Sequence, residues 1–268
     1  MKKIFITSII SCLLFTVAFA QNTFQPKQIK PSGLGIVYDK EVTFDIRLHT
    51  HGLAFALNIG KIKTFYKTTY YHFGIGELKH AKEKRHSFDY PTFPNGKTSR
   101  SFIFGKRNSL YVLRGGWGTK RYYSDKAKEK GVAVGLSYEF GPSLGLLKPY
   151  YLEIDRSTDP TNAFTSTEKY SEENADAFLN VEKIFGSSGF ARGLGELSFL
   201  PGFHASGGVH IDWGAVDEFV KAIEVGIMFD AFLRKVPLMV ENEEIQNAEN
   251  RPFFINLYIT LQLGKRWY

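Results

Sequence analysis

Along most of this chain, apolar and polar residues alternate with a period of two. The clearest case is the last stretch, 252–268. There Phe253, Ile255, Leu257, Ile259, Leu261 and Leu263 take the odd places, and Asn256, Tyr258, Thr260, Gln262 and Gly264 the even ones. Successive side chains of a strand point to opposite faces, so this segment has one apolar and one polar wall. Its length suits a tilted strand crossing a bilayer, which takes roughly 9–11 residues. The closing aromatics Trp267 and Tyr268 stand where an interfacial girdle belongs.

The alternation recurs upstream. Val42, Phe44, Ile46 and Leu48 oppose Thr43, Asp45, Arg47 and His49; a tight turn at 49–52 leads to Leu53, Phe55, Leu57 and Ile59. A third strand runs through Tyr71, Phe73 and Ile75. The polar stretch 79–100 reads as a loop, followed by a brief strand at 101–105. Leu110 to Tyr123 carries Gly115-Gly116-Trp117-Gly118, where glycine marks a bend or a close approach of backbone. Val132 to Phe140 ends at a tight turn, Gly141-Pro142-Ser143, and Leu144 to Ile154 forms the next strand. Residues 155–201 are irregular, with helical spacing over Glu172 to Phe185 behind Ser171 as N-cap. Phe203 to Trp213, Phe219 to Asp230 and the terminal strand complete the set.

This pattern predicts an all-β fold, a transmembrane antiparallel up-and-down β-barrel of about 10 strands (roughly 8–12) with a short helical segment in one long loop. Tight returns near Lys67, Lys106, Gly141 and Gly214 would face the periplasm. Longer connections near Lys79, Ser124, Asp155 and Arg234 would face outward.

The N-terminal stretch sets the compartment. Lys2 and Lys3, the apolar run Ile4 to Val17 and Ala18-Phe19-Ala20 make a signal peptide over 1–20, cleaved before Gln21. What remains, 21–268, is one outer-membrane barrel domain with 155–202 as a loop insert. Cys12 is the only cysteine and lies in the signal, which excludes disulfides and thiolate sites from the mature chain. Losing Lys2 and Lys3 lowers the formal charge from +7 to +5. That excess is spread along the chain, so nucleic acid is not an expected partner. Mean hydropathy is −0.19, aromatics make up 15%, and no run after Gln21 approaches the ~20 apolar residues of a membrane helix.

The polar wall is the candidate site. Asp45, Arg47, His72, Arg114, Glu139, His204, His210, Glu218, Glu224 and Asp230 all fall opposite apolar positions and are expected to point into the lumen. A bore of this strand number is narrow, so ion pairs could fill it, or it could pass a small solute. His204 and His210 share a face with Asp212, near Ser206 and within reach of Glu218 or Glu224 across a hairpin. That set has the residue types of a zinc site or an activated serine, but no spacing that fixes either geometry. No catalytic residue, metal or cofactor is therefore assigned. Gly193-Leu194-Gly195 and the 115–118 glycines lack the strand-to-helix context of a phosphate cradle. The basic run 79–86 reads as a solvated outer loop that could meet lipopolysaccharide phosphates.

The signal, the alternating strands and the aromatic last strand resemble bacterial outer-membrane β-barrel proteins over nearly the whole mature chain. More narrowly, the segments 61–71, 145–151 and 261–267 resemble an uncharacterised barrel family of Bacteroidota-type Gram-negative bacteria. The resemblance implies location in the cell outer membrane, with membrane lipid, lipopolysaccharide and, during assembly, the outer-membrane insertion machinery as partners. It carries over no functional residue. The expected role is structural, docking or limited small-solute passage. Two alternatives are a rim hydrolase or acyltransferase acting on envelope lipids, and a protein partner held by the 155–202 insert.

Overall fold

The computed structural model describes residues 38–87, 98–124, 132–157, 164–213, 218–241 and 249–268. The expected signal peptide and the start of the first expected strand, near Gly33, lie outside them. In chain order the strands are β1 (Lys40–His49), β2 (Gly52–Thr64), β3 (Lys67–Leu78), β4 (Arg85–His86), β5 (Phe102–Ile103), β6 (Asn108–Tyr122), β7 (Ala133–Pro149), β8 (Tyr151–Asp155), β9 (Thr165–Lys169), β10 (Ile184–Ser187), β11 (Ser198–Asp212), β12 (Phe219–Phe232) and β13 (Phe253–Trp267). Eight of them close a barrel in the order β1-β13-β12-β11-β7-β6-β3-β2, and every pairing around it is antiparallel.

The barrel thus has eight strands rather than about 10, and two local misreadings account for the difference. Residues 101–105 hold only the two-residue β5, which pairs with β4 outside the barrel. The expected turn at Gly141-Pro142-Ser143 is the middle of one long strand, β7. Proline cannot donate to a ladder and glycine weakens one, so the tripeptide reads as a turn. Here β6 presents its own glycines opposite: a Cβ on Gly141 would stand 2.2 Å from the Gly115 carbonyl oxygen and 2.5 Å from Gly116 Cα. The two backbones approach too closely for side chains. The glycines at 115 and 116 therefore mark the close approach expected of them.

Strand direction sorts the connections. The chain's Tyr268 end, Phe65-Tyr66 and the links 123–132 and 213–218 share one rim. The opposite rim carries the turn 50–51 and the three long connections 79–107, 150–197 and 233–252. The link after Ser124, expected among the outward loops, belongs to the first rim, and Lys106 lies within a long connection.

The exterior is apolar and the interior polar, the inverse of a water-soluble core. On β1 the inward residues Glu41, Thr43, Asp45, Arg47 and His49 are buried, while Phe44 and Leu48 stand exposed on the outside. Phe73, Leu136, Val225, Ile227, Ile255, Leu257 and Ile259 continue that outer band on other strands. Aromatics collect at the first rim: Phe65, Tyr66, Tyr123, Trp213, Phe219, Trp267 and Tyr268 are all exposed there. They form a belt of exposed rings around that end of the barrel.

Two apolar clusters lie toward the second rim. In one, the inward residues Leu78, Leu110, Val112, Leu147, Leu200, Phe232 and Phe254 pack around Val236, Leu238 and Met239 from the β12–β13 connection. Asn250 pins that segment, accepting from the backbone N–H groups of Leu238 and Met239 and donating to the Met239 carbonyl. The other cluster, Phe102, Leu152, Ile154, Ala177, Phe178, Leu179, Ile184 and Val240, is the core of a small unit beyond the barrel. Its three-stranded sheet has the order β10-β8-β9. The described residues of the 155–202 stretch therefore form a packed unit, not an irregular loop.

The expected helix over 172–185 shrinks to one turn, α1 (Ala175–Phe178), between 3₁₀ turns at Glu172–Asn174 and Val181–Lys183. Ser171 does sit at its start, where its N–H donates to the Asn174 side chain. Asn180 caps the start of the second 3₁₀ turn by accepting from the Glu182 N–H, and Ile184 and Phe185 then join the sheet. In this unit Arg156 makes two hydrogen bonds to Glu168, at 3.0 and 2.9 Å, and holds its carboxyl down at about 2.

Candidate functional site

The polar wall predicted from the alternation is the lumen wall. Asp45, Arg47, His72, Arg114, Glu139, His204, His210, Glu224 and Asp230 are all buried inside the barrel. Glu218 is the exception. It has the right parity but precedes β12, stands exposed at the first rim and pairs with Lys265 at 2.8 Å. Parity assigns a face only as far as the ladder runs.

The lumen is built in tiers. Nearest the first rim, Glu41 accepts from Lys120 and Arg266, each at 2.9 Å, and Arg266 also reaches Asp212 at 2.6 Å. β1, β6, β11 and β13 are thereby tied across the bore.

The middle tier centres on Arg47. It donates to Glu139 at 2.8 Å and Thr260 at 3.0 Å, lies 4.0 Å from Glu224, and its guanidinium sits 4.4 Å from the Tyr258 ring centroid. Tyr258 donates to Glu224 at 2.7 Å, and His210 reaches the same carboxylate at 3.3 Å, as their paired positions on β11 and β12 require. Ser206 and Tyr70 donate to Glu139 at 2.9 and 3.3 Å. Asp45 accepts from Asn58 at 2.8 Å and Gln262 at 3.0 Å, and the Asn58 carbonyl accepts from His72 at 2.7 Å. Nearer the second rim, Arg114 grips Asp230 with two bonds, at 2.8 and 3.0 Å. Beyond that tier lies the apolar cluster around Leu238.

His204 and His210 face the enclosed lumen and not the rim, and the Ser206 hydroxyl donates to Glu139 and not to a histidine. The nucleophile–base contact of an activated serine is not formed there. His204 instead lies beside His72, with ring centroids 5.9 Å apart. That neighbour comes from β3 and could not be read from local spacing.

Several lumen residues were passed over in the sequence. Glu41, Lys120 and Arg266 sit at strand ends, where alternation fades into ordinary charged rim, although each keeps the inward parity. The Val236–Val240 run was hidden inside a connection read as polar. Its signal is the unbroken apolar run between Pro237 and Glu241.

Gly118 shows how tightly the bore is filled. A Cβ there would meet ring carbons of Tyr70 at 2.3 and 2.6 Å, and Tyr70 is itself buried. Gly118→Val is expected to cost about 1–3 kcal/mol through overpacking. Urea titration of the refolded barrel in lipid vesicles measures this, and an unchanged midpoint would show that the ring has room to move.

No protein-family model and no curated protein matches the chain. Among solved structures it is similar to the crystal structure of neisserial surface protein A (NspA), with 7% identity and a TM-score of 0.34, over 86% of this chain and 96% of that one. A likeness this distant adds nothing to the barrel already evident in the strand pairing.

Proposed function

We propose that this protein is a sealed outer-membrane β-barrel with a structural and docking role, anchoring the small sheet unit at its outer rim and offering no solute path. The observation that carries this reading is the filled bore. Ion pairs cross it in successive tiers, and Val236, Leu238 and Met239 stop its wider-looped end with a packed apolar cluster. An open channel needs a continuous polar, hydrated path, and an apolar stopper pinned by Asn250 interrupts one.

The outer-membrane placement rests on the apolar exterior, the aromatic belt at one rim and the signal-like start. The orientation rests on loop length, since single-chain outer-membrane barrels keep short turns on the periplasmic side and long loops outside. The 155–202 unit then faces outward, where a protein partner could reach it.

Planar-bilayer recording tests the seal. The wild-type protein should show no discrete conductance steps. Leu238→Asp, which buries a carboxylate in the apolar cluster, should release the 236–240 segment and produce intermittent openings. Steady wild-type conductance would remove the sealed-barrel reading.

A further inference from the structure

Among the described residues one group of side chains presents the donors of a metal centre. His72 on β3, Glu139 on β7 and His204 on β11 are all buried, and each offers a ligand atom within 4.8 Å of the other two. Such a grouping alone would be weak evidence. Two further observations point the same way.

The first is His204 itself. Its side chain is fully buried, and neither ring nitrogen is bonded by any protein group. Burying a polar group without a partner is costly, so an imidazole left with two such atoms points to a ligand. The second is the charge balance of the bore. Among the described residues six buried carboxylates line it, Glu41, Asp45, Glu139, Asp212, Glu224 and Asp230, against four buried cations, Arg47, Arg114, Lys120 and Arg266. Carboxyl groups therefore outnumber cations in the bore. Uncompensated charge is expensive in an interior closed to water.

We propose that the lumen holds one divalent first-row transition-metal ion, bound by His72, Glu139 and His204. Two imidazole nitrogens and a carboxylate oxygen suit Zn²⁺ and its neighbours. Ca²⁺ and Mg²⁺ prefer shells of oxygen. Three protein ligands leave a further position for water. The ion's positive charge would offset the surplus of carboxyl groups over cations.

The surroundings fit the assignment. Glu139 engages Arg47 and Ser206 through Oε1, while Oε2 lies 3.3 Å from His72 Nδ1 and from the Tyr70 hydroxyl. A carboxylate ligand steadied by hydrogen bonds is the usual arrangement in metal sites. His72 is oriented by Asn58, which is itself bonded to Asp45. Arg47 is the opposing influence, a positive charge close to the ligand set, and Glu224 at 4.0 Å shares it with Glu139. β6 lies between β3 and β7 and places Gly116 opposite His72 and Gly118 opposite Glu139, so no side chain of β6 stands beside either ligand. The ion would tie three strands together at mid-barrel. A closed lumen means that it enters during folding.

The test refolds the full chain into lipid vesicles with Zn²⁺ present, removes loose metal by chelator and desalting, and measures retained zinc. The expected result is one Zn²⁺ per chain, with His204→Gln and His72→Gln each weakening retention at least about tenfold. His210→Gln, in the same strand and lumen but outside the set, should retain zinc like the wild type. Refolding with Co²⁺ should give visible absorption from low-symmetry nitrogen and oxygen coordination, absent in His204→Gln. Heat-modifiable gel migration confirms that each sample is folded. Folded wild-type protein with neither retained zinc nor a cobalt spectrum overturns the proposal, and so does a folded His204→Gln variant that retains zinc fully. Should His204→Gln fail to fold, the wild-type cobalt spectrum decides alone. None of these outcomes depends on whether the barrel conducts.

Discussion

Replacing Arg47 with alanine is expected to destabilise the barrel by about 3–5 kcal/mol, the usual cost of removing one partner of a buried ion pair. The magnitude follows from what the substitution leaves behind. Glu139 would lose a 2.8 Å charged hydrogen bond in a site where its side chain is 3% exposed, and Glu224 would lose its nearest cation. Thr260 would lose a donor, and the Tyr258 face its stacked guanidinium. Charges stranded inside a narrow bore have no water to turn to. The double variant Arg47→Met/Glu139→Gln should recover much of the loss, because the penalty lies in the unpaired carboxylate rather than in the missing bridge. Urea unfolding in lipid vesicles, followed by tryptophan fluorescence, measures both. A single variant as stable as the wild type would mean that water reaches the middle tier, and the sealed-lumen reading would go with it.

That network explains how much of the protein was legible in its sequence. Period-two alternation is imposed by the barrel itself, because one face of every strand lies on the apolar exterior and the other faces the lumen. Nine of the ten residues expected inside are inside, since parity holds wherever the ladder continues. Glu218 failed because it lies just before the ladder begins. The strand count failed at Gly141-Pro142-Ser143, where local chemistry says turn. What overrides it is non-local: Gly115 and Gly116 on the neighbouring strand, which admit the close approach.

The site was less legible than the fold, for the same physical reason. Register decides which inward residues meet, and register is a property of pairs of strands. His210 with Glu224 was within reach of inspection because β11 and β12 form a hairpin. His72, Glu139 and His204 come from three strands, two of them separated in the barrel by β6, so no spacing along the chain joins them. The stopper at Val236–Met239 was missed because loops are expected to be polar. Here a loop turns inward to cover apolar positions at the end of the bore, which would otherwise face water.

Ile259→Arg is expected to cost about 2–4 kcal/mol, the penalty for a basic side chain on the lipid face near the bilayer midplane. Ile259 lies midway along β13, pairs with Leu48 and Val225, and points outward with them into the apolar band. A water-soluble β-domain makes the opposite prediction, because an arginine on an exposed strand face costs little. The neighbouring position makes the comparison sharper. Thr260 points inward, fully buried, and donates nothing to lipid contact. Thr260→Val should therefore lose only the hydrogen bond accepted from Arg47, about 1.5–3 kcal/mol for a bond to a charged group. Moving from thick to thin lipid bilayers should reduce the Ile259→Arg penalty, since the arginine would lie closer to the headgroups, and leave the Thr260→Val penalty unchanged. Equal sensitivity of the two variants to bilayer thickness, or a negligible effect of Ile259→Arg, would show that this face does not lie in a membrane.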